Sequence, residues 1–425
     1  MGRASSPGDA REAAAAIVTT LRGAGHVAYF AGGCVRDELL GLAPTDYDVA
    51  TDATPDRIRA LFKRTDEVGA SFGVVLVTLP AGRAGGGTDG GGRGRATVEV
   101  ATFRSDGPYS DRRRPDSVRF SDPESDAKRR DFTVNALFLD PFAPGAEARG
   151  RVIDYVGGLA DIAARVLRAV GDADARLGED HLRALRAVRL SAKLGLEIDP
   201  STAGAIRRHA RELSGVSRER VGDELRRIMA HPSRGRAIDL LTGFGLDAPV
   251  LNGAHAGGAR SRVLGALPAD TLFPACLAAW ALDRGASGDD VARGWARALC
   301  LSNEERSALA AALDRLAVLR GAWPGLSVAR QKRLAVAPGF DAALMLLEIS
   351  DPRAGAGVRR RVAELAATPS GLAPAPLLDG EALITLGLKP GPRFKRILEA
   401  VYDAQLEGGV RTAAQARELA LKPGV

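Results

Sequence analysis

Alternating, β-branched sequence is confined to the first third of this chain. Val27-Ala28-Tyr29-Phe30-Ala31, Asp46-Tyr47-Asp48-Val49-Ala50, Gly73 to Leu79 and Ala96 to Phe103 read as strands, and Phe132 to Leu139 as a strand whose beginning also fits a helical turn. The spacing predicts helices over 9–24, 36–40 and 55–62, the last with Thr54 placed as cap and Pro55 in the first turn. From about residue 156 the pattern becomes helical, rich in Ala, Leu and Arg and broken by Gly and Pro. A sheet-bearing first part followed by an all-α extension defines an α+β chain. Boundaries at Gly157-Gly158, at His231-Pro232 and in the Thr368 to Pro376 cluster divide it into 1–156, 157–231, 232–368 and 369–425. The run Gly82 to Arg95 has too little apolar area to order itself and reads as a flexible hairpin excursion without chemistry.

The length of 425 residues suggests two to four domains at roughly 100–200 residues each. No apolar run approaches the roughly 20 residues of a membrane span, and Met1 to Arg11 lacks a signal-peptide apolar region, so a cytoplasmic location is expected. Cys34, Cys276 and Cys300 are scattered and odd in number, which argues against a disulfide framework or a cysteine zinc site. His26, His181, His209, His231 and His255 are isolated in sequence, so no zinc is expected. Of 59 basic residues 52 are arginine, and the net charge is +7. Guanidinium forks suit phosphates and base edges, so a nucleic-acid partner fits; codon bias in an Ala- and Gly-rich chain fits equally.

Asp46 and Asp48 stand at i and i+2 of an expected strand, so their carboxylates share one face. Two carboxylates at one spot suit Mg²⁺, a hard cation that takes carboxylate and substrate phosphate together. Just upstream, Gly32-Gly33 lets backbone amides approach a triphosphate, and Arg36 adds a charge-assisted contact. Each feature alone has a plainer reading as a tight turn or as exposed acids. Together, in under twenty residues, they point to nucleotide chemistry.

Gly32-Gly33-x-Val35-Arg36-Asp37 followed by Asp46-x-Asp48-x-x-Thr51 resembles the signature of polymerase-β-type nucleotidyltransferases. Arg129-Arg130-Asp131-Phe132-Thr133-Val134-Asn135-Ala136 and Glu179-Asp180-His181-Leu182-Arg183 narrow the resemblance to class II tRNA nucleotidyltransferases (CCA-adding enzymes) and the related bacterial poly(A) polymerases. The resemblance implies a catalytic head over 1–156, a base-recognising helical neck over 157–231, a helical body over 232–368 and an RNA-binding helical tail over 369–425. It also implies that Asp131 and Asn135 contact the ribose, with Arg130 beside them. Arg176 matches the hinge-like motif Gly171 to Arg176, in which Ala173 replaces a frequent proline. Residues 104–119 match the family's flexible loop, which favours a complete-tail or A-adding enzyme.

Asp180 and Arg183, three apart on an expected helix, can present one edge: Asp accepts from an exocyclic amino group and Arg donates to the ring nitrogen beside it. Cytosine and adenine offer that pair; uracil and guanine do not. Arg186 and Arg189 follow at helical spacing and reach either triphosphate or solvent. Glu99, on the strand 97–103, fits either a third carboxylate at the metals or an ion-pair partner of an arginine. Arg218 to Leu225 resembles the last family motif, read as charges bracing adjacent helices. The expected reaction is addition of C and A to tRNA 3′ ends from CTP and ATP with Mg²⁺. Poly(A) polymerase or A-adding activity is the alternative, and an RNA-binding module with an inactive head the non-enzymatic one.

Overall fold

The computed structural model describes residues 7–67, 73–80, 95–107, 115, 117–143, 150–253, 260–286 and 288–422. It begins with α1 (Pro7–Gly23), β1 (Ala28–Ala31), α2 (Gly33–Leu39), β2 (Asp48–Thr51), α3 (Pro55–Leu61), β3 (Thr65–Glu67), β4 (Val74–Pro80) and β5 (Arg95–Thr102). After these come β6 (Arg104–Asp106), β7 (Val118–Phe120), α4 (Pro123–Lys128), β8 (Phe138–Asp140) and β9 (Arg151–Ile153). Among the described residues seven strands make one sheet, in the order β3-β4-β5-β2-β1-β8-β9. The β2–β5 pairing is parallel, with Asp48 opposite Glu99, and β1 runs antiparallel to β2 and β8.

Alternation on β5 explains how this sheet is used. Ala96, Val98 and Val100 are buried, whereas Arg95, Thr97 and Glu99 are exposed. The buried set packs with Val49, Val75 and Val77 against Ile17 and Leu21 of α1 and Ile58 of α3. That burial is the principal force holding the sheet to its helices. A second cluster of Ala31, Ala50, Phe103, Ala136 and Phe138 forms separately, with the Phe103 and Phe138 rings edge-to-face at 5.7 Å.

Several expectations shift. Asp46 precedes β2 rather than lying in it. Thr54 has the extended backbone of a cap, but its side chain makes no capping hydrogen bond. The loop expected over 104–119 is an antiparallel ribbon at its two ends, β6 with β7. The rest of it is outside the described residues, apart from Gly107, Pro115 and Ser117, and so is 82–94 of the Gly-rich run. The short strands β3 and β9 were not visible in the sequence, since three-residue segments carry no period to detect.

The chain continues through α5 (Gly158–Ala164), β10 (Val166–Leu167), α6 (Ala173–Glu179), α7 (Arg183–Leu194), β11 (Glu197–Ile198), α8 (Pro200–His209) and a 3₁₀ segment, Ala210–Gly215. The parallel β10–β11 pair is a small exception to the helical pattern. Two units can be distinguished: 1–216 with 243–249, and 217–242 with 250–425. In the second, Trp280 and Trp295 pack at 4.9 Å, and Leu378, Leu383, Ile397, Val401 and Val410 form a further core. Arg226 grips Glu305 at 3.0 and 2.9 Å, and Arg218 donates to the carbonyl of Ala298 at 2.8 Å, tying neighbouring helices together. Among the described residues no helix is long and apolar enough to cross a membrane.

Candidate active site

The site's acidic end is set by the sheet. Parallel pairing of β2 with β5 puts Asp48 and Glu99 in register, and Asp46 lies two residues upstream of Asp48, on the other side of buried Tyr47. Burial, then the charges of Glu99 and Asp46, push the Asp48 carboxyl up to about 7, against a smaller opposing pull from Arg130. Among the described residues the three carboxylates are not all drawn within 4.8 Å of one another, but Asp48 and Glu99 in register, with the charge of Asp46 nearby, are oxygen donors of the kind a hard divalent cation takes, and such an ion would relieve their repulsion.

Of the glycine pair, Gly32 is the one the backbone demands; Gly33 is helical, and a Cβ there would meet only Nη2 of Arg36 at an ordinary 3.6 Å. Gly32 has φ +74° and ψ −123°, a backbone conformation that only glycine adopts without strain, so β1 passes straight into α2 there; a Cβ would also sit 2.9 Å from Nη1 of Arg130, the movable end of that side chain. Arg36, buried one helical turn on, donates to Asp37 at 2.8 Å from Nε and 2.6 Å from Nη2. Its Nη1 donates to Oδ1 of Asn135. Asn135 Nδ2 then donates to Asp131 at 3.1 Å, and Asp131 accepts from Arg186 at 2.9 and 2.6 Å. The expected phosphate and ribose residues therefore form one chain, Asp37–Arg36–Asn135–Asp131–Arg186. Burial alone would raise the Asp131 carboxyl, but Arg186, Asn135 and the charge of Arg183 outweigh it and bring it down to about 2.

Arg129 and Arg130 share a partner that sequence reasoning missed. Asp126 accepts from Arg129 at 3.0 Å and from Arg130 at 3.1 Å while almost wholly buried. Burial raises Asp126, yet Arg130 and Arg129 hold it below the usual carboxylate range. Its spacing of three and four residues from the two arginines was the available signal. Arg130 also donates to the Asn135 carbonyl at 3.1 Å and lies over the Phe138 ring at 5.1 Å.

The expected helical edge of Asp180 and Arg183 needs correction. Arg183 opens α7, but Asp180 lies outside it, at the end of α6, with φ −152° and ψ 104°. A turn joins them: Arg183 N–H donates to the Asp180 carbonyl at 3.0 Å, and Leu182 N–H to the Asp180 carboxylate at 3.1 Å. The physical reason is that the carboxylate captures an amide the helix would leave open, so the chain turns there. Glu179, given no role from sequence, accepts from Arg176 at 2.8 Å and also from Arg183. Arg176 further donates to the carbonyls of Lys128 at 2.6 Å and Arg129 at 3.1 Å, joining α6 to the C-terminal end of α4. Arg189 lies on α7, half-buried, two positions before fully buried Ser191.

Residues 28–168 match the family described as "Poly A polymerase head domain", and 195–256 match "Probable RNA and SrmB- binding site of polymerase A". A CCA-adding enzyme of Geobacillus stearothermophilus is 35% identical over 406 residues, covering 93% of this chain and 92% of that protein. The chain belongs to the CCA-adding enzyme family. It is therefore a nucleotidyltransferase, with the polymerase-type head that its sheet displays. The crystal structure of the Bacillus stearothermophilus CCA-adding enzyme in complex with CTP superposes with a TM-score of 0.74 at 29% identity, covering 97% of this chain and 96% of that one. The Thermotoga maritima CCA-adding enzyme complexed with tRNA_CCA shares the fold, with a TM-score of 0.67 at 18% identity and coverage of 99% and 96%. Within this member of the CCA-adding family, Asp37, Asp126 and Glu179 position the arginines that the motifs single out.

Proposed function

We propose that this enzyme adds C and A to the 3′ end of tRNA in the cytoplasm, from CTP and ATP, without a template and with release of pyrophosphate. The observation that carries this is the single polar chain from Asp37 to Arg186, tied by Arg130 on the Asn135 carbonyl to the charge of Asp48, and flanked by Arg183, whose charge acts on Asp131. In this reading 1–156 is the catalytic head, 157–231 the neck that reads the base, and 232–368 and 369–425 the body and tail that grip RNA phosphates.

Asp46, Asp48 and Glu99 are the residues that would hold Mg²⁺, which when bound activates the attacking hydroxyl and neutralises the triphosphate. Arg36 donates toward phosphate, its fork aimed by Asp37. Gly32 and Gly33 keep the phosphate side open, with no Cβ to block it. Asn135 and Asp131 take ribose hydroxyls on the lone pairs their internal hydrogen bonds leave over. Arg183, fixed by Glu179, and Asp180 meet the amino group and ring nitrogen that cytosine and adenine share. Arg130, Arg176, Arg186 and Arg189 brace these groups and add positive charge for the triphosphate.

The test is incorporation of each labelled NTP, separately and together, into tRNA lacking its 3′ end and into unrelated RNA. CTP followed by ATP on tRNA alone supports the proposal. Extension with ATP only would make it an A-adding enzyme on tRNA or a poly(A) polymerase on any RNA. No incorporation with RNA binding retained would leave a binding module with an inactive head.

A further inference from the structure

Two histidines isolated in sequence are neighbours in space. His181, in the turn between Asp180 and Arg183, stacks on His209 at the end of α8, with ring centroids 5.7 Å apart and planes 27° apart. Glu212, in the 3₁₀ segment that follows, sets one carboxylate oxygen between them: 3.3 Å from His181 Nε2 and 2.7 Å from His209 Nδ1. Ligand atoms of all three lie within 4.8 Å of one another. We propose that His181, His209 and Glu212 form a transition-metal site of the zinc type, distinct from the carboxylates of the head.

The geometry and the chemistry agree. Zinc bonds of about 2.0–2.2 Å to nitrogen and oxygen in a tetrahedron place ligand atoms about 3.3 Å apart. The His181–Glu212 separation matches this, and the His209–Glu212 one opens to it by a small side-chain rotation. His209 also has the outer partner that metal-bound imidazoles use. Its Nε2 faces Asp174 Oδ1 at 3.3 Å, and Arg208 holds that carboxylate at 2.8 and 2.6 Å. Without metal the 2.7 Å contact is an Nδ1–H donating to Glu212; a metal ion would take the place of that proton, with the ring's remaining N–H on Nε2 turned to Asp174. Two imidazoles and one carboxylate select zinc, cobalt or nickel over magnesium. Burial is graded from His181 at 3% exposed, through His209 at 20%, to Glu212 at 42%, which leaves a solvent path to a fourth position for water. Metal bound here would tie the turn carrying Asp180 to the 210–215 segment.

The test uses the full chain, stripped with chelator and held in excess Mg²⁺ so that the head carboxylates are occupied, then titrated with Co²⁺. Expected are the strong visible bands of four-coordinate cobalt, saturating at one equivalent and displaced by Zn²⁺, together with a higher Tm when Zn²⁺ is added. His209→Gln and Glu212→Gln should weaken binding by at least roughly a hundredfold, beyond what loss of an outer partner costs, and shrink the Tm rise at a fixed Zn²⁺ concentration accordingly. Weak six-coordinate bands only, or strong bands retained in both variants, would overturn the site and leave Glu212 as a hydrogen-bond bridge. X-ray absorption on the zinc-loaded unmutated chain decides independently of how the variants fold: two imidazoles at the metal support the site, and none refutes it.

Discussion

Asp48 and Glu99 stand opposite each other across the parallel β2–β5 pairing, and their mutual repulsion helps push the Asp48 carboxyl up to about 7. Folded protein then binds this proton more tightly than unfolded chain, whose carboxyl titrates near 3.8. Stability from this group accordingly falls as pH rises from about 4 to about 7 and is level above that. Divalent cation must displace the same proton, so Mg²⁺ affinity should drop by up to roughly tenfold per unit as pH falls below about 7. Calorimetric Mg²⁺ titrations between about pH 5 and pH 8 check this; a flat profile would remove Asp48 from the metal site.

Replacing Asp48 with Asn should cost incorporation on the order of 10³-fold or more, since several kcal/mol of charge stabilisation are lost. The same change removes the repulsion, so the metal-free variant should melt higher than the parent near pH 8. Single-turnover incorporation, tRNA binding by filter assay and a thermal melt separate the three effects. Unchanged turnover would contradict the assignment.

Asp131 behaves in the opposite sense. Its carboxyl, held down to about 2, contributes stability that is fully present above about pH 4 and lost as pH falls through about 2. Asp131→Asn should therefore destabilise by about 2 kcal/mol near neutral pH, seen as a lower denaturant midpoint with unchanged slope. It should also raise KM for nucleotide.

Glu179 holds Arg176 and Arg183 together. Glu179→Gln should reduce the preference for CTP over UTP, and Arg183→Ala should reduce it further, by roughly 10²-fold or more, because a paired donor is lost at the base. The ratio of kcat/KM values is the measurement. A general fall in rate with the ratio preserved would make both residues structural.

Gly32→Ala combines a backbone strained at φ +74° with a 2.9 Å approach to Arg130. The expected cost is about 1–3 kcal/mol of stability, with a raised KM for the triphosphate. Equal stability in a denaturant titration would mean that the β1–α2 turn relaxes freely.

Much of the site was legible because its residues lie in short, ordered blocks. Gly32, Gly33, Arg36, Asp46 and Asp48 fall within seventeen positions, where local geometry alone constrains what they can do. The paired strands β4 and β5 were visible through their period. The residues that were missed act over distance or through a turn. Asp126 is recognisable only beside the arginines it neutralises, and Asp180 looks helical until its own carboxylate is seen capturing the Leu182 amide. Glu99 was ambiguous because its meaning depends on which strand pairs with β5.

The order of strands and helices, the arginine excess and the nucleotide-binding blocks are properties of the sequence itself, since each arises from neighbours along the chain. Tertiary structure alone decided that Glu99 faces Asp48, that Arg36 reaches Asn135 across 99 positions, and that His181 meets His209 and Glu212. Strand register and side-chain pairing over such separations come from packing the whole sheet and its helices, where burial of apolar surface fixes positions that no local pattern encodes.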